Sequence, residues 1–334
     1  MQDRYVGDIG DYGKLGLLRR LAASSLRIGV NWYRTPDEDH NEDGKFIQYL
    51  TASGKGLYRA HDPLLWDALS EIVNSGCRQI KSLEAPSILD AAFFHNILDF
   101  SKVPCWEREN VRADWHQRAL ERLHDCDIVF ADPDNGLMVP SALRGKKGNK
   151  YVLPEELFAY YQQGASVIYY QHKARRQNSF YTDQRDKLLQ DERIKGAESL
   201  GLKFIRTSQR YYWFLLHPEH VDKLASFAPL YVVRGNNDKE WAAAIPHDLT
   251  VTLDGVRFYM VHNKKDVPAD LTGADVVVFG HSHKYSEERR GDVLWLNPGS
   301  CGPRRFHQEI ALMRAKVASG SIRVEKIVIL HEVT

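Results

Sequence analysis

The sequence predicts an α/β protein of two regions, a three-layer α/β domain over residues 1–221 and a mostly β domain over residues 222–334. The length of 334 residues exceeds the usual size of one domain. Helix and strand patterns alternate along the first region, as they do in proteins with a mostly parallel sheet between helices. In the second region, short strand patterns follow one another with few helices between them.

The first region opens with a segment rich in glycine and aspartate, residues 7–13, followed by leucines at helical spacing. Asp62 and Pro63 indicate a helix start, because they supply an N-cap and a proline at the first helical position. The predicted helices of the region cover residues 15–21, 63–72, 115–123, 154–163 and 183–200. The predicted strands cover residues 26–33, 128–131, 166–171, 203–207 and 211–216.

The second region is dominated by strand patterns. Asp254-Gly255 and Ser319-Gly320 are hairpin turn sequences between two pairs of them. The predicted strands cover residues 230–233, 249–253, 256–261, 276–279, 293–296, 310–317 and 322–330. Because no repeat or low-complexity linker separates the two regions, we expect them to pack directly, with a boundary near residue 222.

The composition is that of an ordinary globular protein. Apolar residues make up 43%, charged residues 27%, and the formal net charge is +1, so overall charge favours neither nucleic acid nor an anionic membrane as a partner. Without a spanning apolar run or a signal pattern, the sequence predicts a cytoplasmic protein with no membrane partner. The cysteines, Cys77, Cys105, Cys126 and Cys301, show neither disulfide nor zinc-knuckle spacing.

Polar side chains of metal-ligand type follow three predicted strands of the second region. Asn236 comes after the strand 230–233, His262 ends the strand 256–261, and His281 and His283 follow the strand 276–279. A histidine pair alone is more often a surface or hydrogen-bonded pair than a metal site. The delivery of ligand types by three strand ends is more specific, and it indicates a metal site.

Four motifs occur in a fixed order, Gly235-Asn236-Asn237-Asp238, Val261-His262, Gly280-His281-Ser282-His283 and Asn297-Pro298-Gly299-Ser300. Together they resemble the C-terminal half of the calcineurin-like metallophosphoesterase family, in its small prokaryotic phosphodiesterase branch, over about residues 222–334. The resemblance implies a partial metallophosphoesterase domain. It also implies hydrolysis of a phosphate ester by a metal-activated hydroxide.

The resemblance assigns roles to individual residues. It implies four metal ligands, Asn236, His262 and His281 at one ion and His283 at the other. Asn237 and Asp238 match the catalytic position beside the leaving group, and Arg304 or Arg305 is expected to meet a phosphate. Imidazole and amide ligands suit manganese, our first expectation, and also iron, nickel or zinc.

The opening motifs of the family, which supply the bridging aspartate, have no clear counterpart upstream of residue 230. Two dications about 4 Å apart repel each other by about 16 kcal/mol at an effective dielectric constant of about 20, and neutral Asn and His ligands offset none of this. Carboxylates are therefore needed. Asp8 and Asp11, in a segment similar to Gly-Asp-x-x-Asp, are the first candidates, and a second chain of a homo-oligomer is another. Otherwise the half-domain is a relic that holds one metal weakly or none.

A second resemblance concerns residues 1–220. Asp132-Pro133-Asp134-Asn135 is placed like the Asp-Pro-Pro-Tyr motif of adenine-N6 methyltransferases, and the order of segments is similar to that of the ribosomal-RNA member of that group. The opening, residues 3–8, is also similar to a set of uncharacterised bacterial proteins. The resemblance implies a Rossmann-like, three-layer fold. S-adenosylmethionine is not expected, because residues 31–40, with bulky side chains, stand where the cofactor needs a glycine-rich turn.

Three other groups in the first region are candidate sites. Asp132 and Asp134 follow a strand at the sheet edge where such folds bind ligands, which makes them catalytic candidates against the alternative of a tight turn. Lys146 and Lys147 belong to a basic loop that, with residues 172–176, 206 and 210, predicts a phosphate-binding face or a set of solvated charges. The acidic segment 35–44 is a candidate cation site or an exposed loop.

The sequence therefore predicts a metal-dependent phosphoesterase acting on a phosphodiester or phosphomonoester, with a nucleotide among the candidate substrates. We expect its activity to be impaired, because the first two metal-binding motifs of the family are absent. The alternative is a nucleic-acid or nucleotide binding protein on a methyltransferase-like scaffold, with a non-catalytic phosphoesterase remnant.

Overall fold

Two units make up the chain, Met1–Ala228 and Pro229–Thr334. The structure is a computed structural model, and it describes residues 1–38, 44–206, 208–221, 231–236, 238, 245–300 and 309–328. The sequence predicts a boundary near residue 222, and the division between the units falls a few residues after it. No helix in these ranges is both long enough and apolar enough to cross a membrane.

The described helices all belong to the first unit, apart from short 3-10 turns. They are α1 (Ile9–Ala22), α2 (Ala52–Tyr58), α3 (Pro63–Asn74), α4 (Ile80–Leu83), α5 (Arg108–Arg122), α6 (Pro154–Gln162) and α7 (Asn178–Leu189). The predicted start of α3 is confirmed, since the Asp62 carboxylate accepts a hydrogen bond from the Leu65 amide and Pro63 occupies the first turn.

The helix predicted over 183–200 is wrong in its second half. Helix α7 ends at Leu189, and a strand has already begun at Glu198. Gly196 has a φ of +84°, in the left-handed region that a helix does not use. Gly201 lies so close to the Trp213 ring that a Cβ there would be 2.2 Å from Cζ3, so this segment packs as a strand against its neighbour.

A six-stranded sheet runs through the first unit. The strands of this unit are β1 (Ile28–Asn31), β2 (Ala92–Phe94), β3 (Ile128–Ala131), β4 (Gly136–Leu137), β5 (Tyr151–Val152), β6 (Ser166–His172), β7 (Glu198–Arg206) and β8 (Ser208–Leu216). The order in the sheet is β2-β1-β3-β6-β8-β7, with β4 and β5 forming a separate pair. Strands β2, β1, β3 and β6 are parallel, whereas β8 is antiparallel to both of its neighbours.

Helices cover both faces of this sheet. Ile128 and Phe130 of β3 pack in one hydrophobic cluster with residues of α1, α3 and α4. Val129 and Ala131, which point the other way, pack in a second cluster with residues of α5, α6 and α7. Because β1, β3 and β6 are parallel, their carboxyl ends meet at one edge of the sheet.

The second unit contains a five-stranded sheet and a hairpin. Its strands are β9 (Asp248–Leu253), β10 (Val256–Val261), β11 (Val276–Phe279), β12 (Ser286–Arg290), β13 (Val293–Asn297), β14 (Ala311–Ala318) and β15 (Ser321–Val328). The sheet order is β12-β13-β11-β10-β9, in which β10, β11 and β13 are parallel and the edge strands are antiparallel. Strands β14 and β15 pair only with each other among the described residues.

Both predicted hairpin turns of this unit are confirmed. Asp254 and Gly255 have φ of +43° and +82°, and Ser319 and Gly320 have φ of +50° and +73°. Positive φ at both central residues matches the right-handed twist of the flanking strands. The strand predicted over 230–233 is not found at residues 231–233, whereas the charged edge strand β12 was not predicted.

Candidate functional site

Two histidines lie side by side at the carboxyl edge of the second sheet. Val261 of β10 pairs with Phe279 of β11, so the residues that follow them leave the sheet together. The Gly280 amide donates a hydrogen bond to the His262 carbonyl oxygen at 3.0 Å, which joins the two strand ends. His262 and His281 thereby point their rings at each other, with centroids 5.2 Å apart.

An amide oxygen completes a three-atom cluster. The Oδ1 atom of Asn236 lies 2.8 Å from Nε2 of His262 and 3.3 Å from Nδ1 of His281. These two ring nitrogens are 3.2 Å apart. The structure thus brings together three of the four metal ligands that the family resemblance implies.

The loop of residues 280–283, called the histidine loop below, has an uncommon backbone conformation. His281 and His283 have φ of +66° and +57°, a region that residues with a Cβ rarely adopt. Asn297, which is fully buried, donates from Nδ2 to the Gly280 carbonyl at 3.1 Å and to the Ser282 hydroxyl at 3.0 Å. These two bonds from β13 fix the loop between the histidines. The family motif contains Asn297, but the sequence assigned it no such role.

Two further residues of the motifs lie near this cluster. Burial lowers the pKa of His262, as do His281 and, more weakly, His283, whereas Asp238 raises it. The net lowering favours the neutral imidazole, which is the form that binds metals. The Asp238 carboxylate accepts a hydrogen bond from the Gly235 amide at 2.7 Å, so it also closes the turn that carries Asn236.

The donor set fits one divalent ion better than two. Donor atoms that share one transition-metal ion lie about 3 to 3.5 Å apart, and both separations that involve His281 are in this range. The 2.8 Å distance from Asn236 to His262 also permits a direct hydrogen bond. Within the described ranges, no group of three or more His, Cys, Asp or Glu side chains is arranged to hold a metal. The cluster has two imidazoles and an amide, and no carboxylate.

Asp8 and Asp11, the candidate bridging carboxylates, already have partners in the first unit. Asp8 is the N-cap of α1 and accepts hydrogen bonds from the Gly10 and Asp11 amides at 2.7 and 3.2 Å. Asp11 accepts a hydrogen bond from the Gly7 amide at 3.0 Å and forms an ion pair with Lys14 at 2.9 Å. Both carboxylates are therefore oriented by interactions within the first unit.

Asp132 and Asp134 lie where the sequence placed them, directly after β3 at the carboxyl edge of the first sheet. The Asp132 carboxylate forms an ion pair with buried Lys14 at 2.6 Å. Burial raises the pKa of Asp132, and Lys14 opposes that effect. Burial also disfavours ionised Asp134, but nearby positive charge outweighs it and lowers the pKa of Asp134. Lys14, which the sequence did not single out for this role, links Asp11 of α1 to Asp132 at the end of β3.

A cavity of about 370 Å³ opens at this edge of the first unit. It is lined by Met1, Tyr5, Asp8, Gly10, Asp11, Lys14, Glu38, Gly44, Phe46, Asp132, Pro133, Asp134, Asn135, Lys147, Lys150, Tyr170, His172, Ser208 and Arg210. Of the predicted phosphate-binding lysines, Lys147 lines the cavity and Lys146 does not. Both are exposed on a 3-10 turn, Lys146–Lys150, rather than on an irregular loop.

Several predicted site residues lie outside the described residues. They are Asn237 of the predicted catalytic position, Arg304 and Arg305 of the predicted phosphate contact, and residues 39–43 of the acidic segment. Cys77, Cys105 and Cys126 are free thiols.

Comparison with known proteins agrees with the motifs of the second unit. A family profile described as a calcineurin-like phosphoesterase superfamily domain matches residues 215–320. A probable metallophosphoesterase of Methanothermobacter thermautotrophicus is 27% identical over 110 residues, 30% of this chain and 64% of that protein. A phosphodiesterase of Methanocaldococcus jannaschii is 31% identical over 90 residues, 22% of this chain and 54% of that protein. The chain thus spans less than two thirds of each of these curated relatives.

Solved structures are similar over about a third of this chain. A phosphoesterase from E. coli is 24% identical, with a TM-score of 0.23 and coverage of 34% of this chain and 71% of that one. Vps29 from Chaetomium thermophilum is 21% identical, with a TM-score of 0.25 and coverage of 34% and 75%. At these TM-scores the likeness carries no argument about function. The profile match, in agreement with the motif order, shows that the C-terminal part of the chain carries a segment of the calcineurin-like phosphoesterase superfamily.

Proposed function

We propose that the protein is a metal-dependent phosphoesterase whose second unit binds one divalent ion through Asn236, His262 and His281. The observation that carries the proposal is the convergence of one amide oxygen and two ring nitrogens within 3.3 Å of one another. When bound, such an ion supplies a Lewis acid for phosphoryl oxygens and lowers the pKa of a coordinated water. Manganese is our first expectation for the ion, with iron, nickel and zinc as the other candidates.

The charge of this cluster favours an anionic substrate. Its three donor atoms are uncharged when both histidines are neutral, so they leave the full charge of a divalent ion to attract a phosphate ester. The same lack of carboxylates opposes a second ion, because repulsion between two dications would not be offset. We do not extend the metal site to Asp8 and Asp11, since both are engaged in the first unit.

Neighbouring residues have supporting roles in the proposal. Asn297 positions the loop that carries His281, and His283 is close enough to influence the pKa of His262. Asp238 is a candidate for assisting protonation of the leaving group. Asn237, at the matching family position, could contribute a hydrogen bond to it but no proton. Without a bridging carboxylate, we expect hydrolysis to be slow compared with that by a two-metal phosphoesterase. The substrate class is a phosphodiester or phosphomonoester, and the site of action is the cytoplasm.

Hydrolysis of bis-para-nitrophenyl phosphate by manganese-loaded full-length protein tests the proposal. The His281→Ala variant is expected to lose at least about tenfold in rate, because one direct metal ligand is removed. His124→Ala, which removes an exposed histidine of the first unit, serves as the matched control and is expected to keep the wild-type rate. Equal rates for wild type and His281→Ala, or no metal-dependent hydrolysis by wild type, would refute the proposal.

We also infer that the first unit is a Rossmann-like, doubly wound domain. In support, the chain passes from β1 to β2 on one side and then to β3 on the other, which creates the change of direction at which such sheets bind ligands. Helices on both faces agree with this assignment. An experimental structure with a different strand order would contradict it.

A further inference from the structure

We propose that the first unit holds a second ligand site, in which the cavity at the carboxyl edge binds a phosphate ester of mononucleotide size with its phosphate at Arg210. All residues that line the cavity belong to the first unit. The cavity also lies at the sheet edge where open α/β folds bind ligands. The proposal does not rest on the metal site proposed for the second unit.

Most of the carboxylates in the cavity are already neutralised. Lys14 is within 2.9 Å of Asp11 and 2.6 Å of Asp132. Lys150 lies 2.5 Å from Glu38 and 3.6 Å from Asp134. These ion pairs offset negative charge on four carboxylates that line the cavity. That part of the lining therefore has little attraction for a cationic ligand.

Arg210 is a buried cation that forms no direct ion pair with a described carboxylate, although Asp8 and Asp11 lie near enough to favour its charged form. Only 6% of the residue is exposed, yet its guanidinium takes part in none of the ion pairs of the described residues. Its Nη2 donates to the Ser208 hydroxyl at 2.5 Å, and its buried Nε has no hydrogen-bond acceptor within the described part of the chain. A buried guanidinium with incomplete hydrogen bonding favours a further acceptor, and an anion in the cavity would supply one.

The surroundings of Arg210 favour phosphate as the anion. A guanidinium presents several donors in a planar fork that matches phosphate oxygens. Exposed Lys147 also lines the cavity and forms no ion pair with a described residue. Asp8 lines the cavity too, but its carboxylate is bound by two backbone amides at the start of α1.

The size and the remaining lining favour a nucleotide over inorganic phosphate as the full ligand. A cavity of about 370 Å³ is within the range of small-molecule sites and larger than a phosphate group requires. Tyr5, Phe46 and Tyr170 contribute aromatic rings to the lining, and 41% of Phe46 is exposed. Aromatic rings offer flat apolar surfaces for a nucleobase.

Gly10 provides a variant that displaces Arg210 without removing its charge. A Cβ at Gly10 would lie 1.8 Å from Nη1 of Arg210 and 2.8 Å from Oδ1 of Asp8, so Gly10→Ala must displace the guanidinium and shift the Asp8 cap slightly. Gly10 is in α1, where alanine is a better helix former than glycine. Gly16 in the same helix is the matched control, because a Cβ there meets its nearest atom, on Leu65, at 4.0 Å.

Isothermal titration of the full-length protein with AMP, adenosine and inorganic phosphate tests the proposal, in EDTA so that no metal at the histidine cluster can bind phosphate. Wild type is expected to bind AMP more tightly than adenosine, with phosphate competing. Arg210→Gln is expected to weaken AMP binding at least about 30-fold, the usual effect of removing a buried charged partner. Gly10→Ala should also weaken it at least about tenfold, while Gly16→Ala and His281→Ala keep the wild-type affinity.

Three results would overturn the proposal. They are the absence of AMP binding to wild type, equal affinity for AMP and adenosine, and wild-type affinity in Gly10→Ala. Circular dichroism establishes whether each variant is folded, and if Arg210→Gln unfolds, Gly10→Ala decides alone. Retained AMP binding in His281→Ala keeps this test separate from the metal-site proposal, which can fail independently.

Discussion

Replacing Asp8 by asparagine should stabilise the first unit at neutral pH. Burial and the neighbouring Asp11 raise the pKa of Asp8 from 3.8 to about 6 in the folded protein. At about 1.4 kcal/mol per pKa unit, keeping Asp8 ionised in the folded state costs about 3 kcal/mol. Asparagine is as good an N-cap as aspartate, so Asp8→Asn removes this cost and keeps the cap of α1.

The effect should depend on pH in a defined direction. Folded Asp8 binds its proton more tightly than unfolded Asp8, so wild type loses stability as the pH rises from about 4 to about 6 and no further above that. Urea unfolding should therefore show Asp8→Asn more stable than wild type by up to about 3 kcal/mol at pH 7.5, and about equally stable below pH 4.

Asp62→Asn is the matched control, since Asp62 caps α3 but forms an ion pair with Arg19 at 2.7 Å. It is expected to give no gain in stability at either pH. If Asp8→Asn is no more stable than wild type at pH 7.5, or if its advantage is the same at pH 4, the account of a costly buried carboxylate is wrong.

Three other substitutions test other parts of the structure. Asn297→Ala should weaken binding of Mn²⁺ about 10- to 100-fold in calorimetry, because the histidine loop loses its clamp; unchanged affinity would contradict this role. Lys14→Met should lower the free energy of unfolding by about 3–5 kcal/mol, since it leaves two buried carboxylates unpaired, whereas exposed Lys195→Met should have little effect. Gly201→Ala should cost about 1–3 kcal/mol by clashing with Trp213; wild-type stability would show that the ring can move.

Local patterns predicted the central strands of the second unit well, because each of them is a short, mostly apolar run. Val276–Phe279 and Val256–Val261 have the bounds that the sequence gives them. The edge strand Ser286–Arg290 escaped prediction because all its side chains are polar, and its strand conformation depends on pairing with β13. The segment 198–202 was predicted as helix for a related reason. Its strand conformation depends on pairing with β8, where Gly201 packs against Trp213.

Three residues of the proposed metal site could be picked out from the sequence, whereas the interactions of Lys14 in the first unit could not. Asn236, His262 and His281 stand in motifs whose order along the chain identifies them. The role of Lys14 became clear only in the fold, because its partner Asp132 is distant in sequence. Arg210 was predicted as part of a basic face, but its burial and its unsatisfied Nε are visible only in the structure. Asp8 and Asp11 have the spacing of the family motif Gly-Asp-x-x-Asp, but here Asp8 caps α1 and Asp11 pairs with Lys14. Similar spacing alone therefore did not identify metal ligands.

The most direct test of the account is the number of metal ions that the second unit binds. Titration of metal-free, full-length protein with Mn²⁺ should give one ion per chain for wild type and none of comparable affinity for His262→Ala, since the cluster has three neutral donors. Two ions per chain would contradict the one-ion site and would show that other residues supply the carboxylates that the cluster lacks. No binding by wild type, or unchanged binding by His262→Ala, would contradict the proposed metal site.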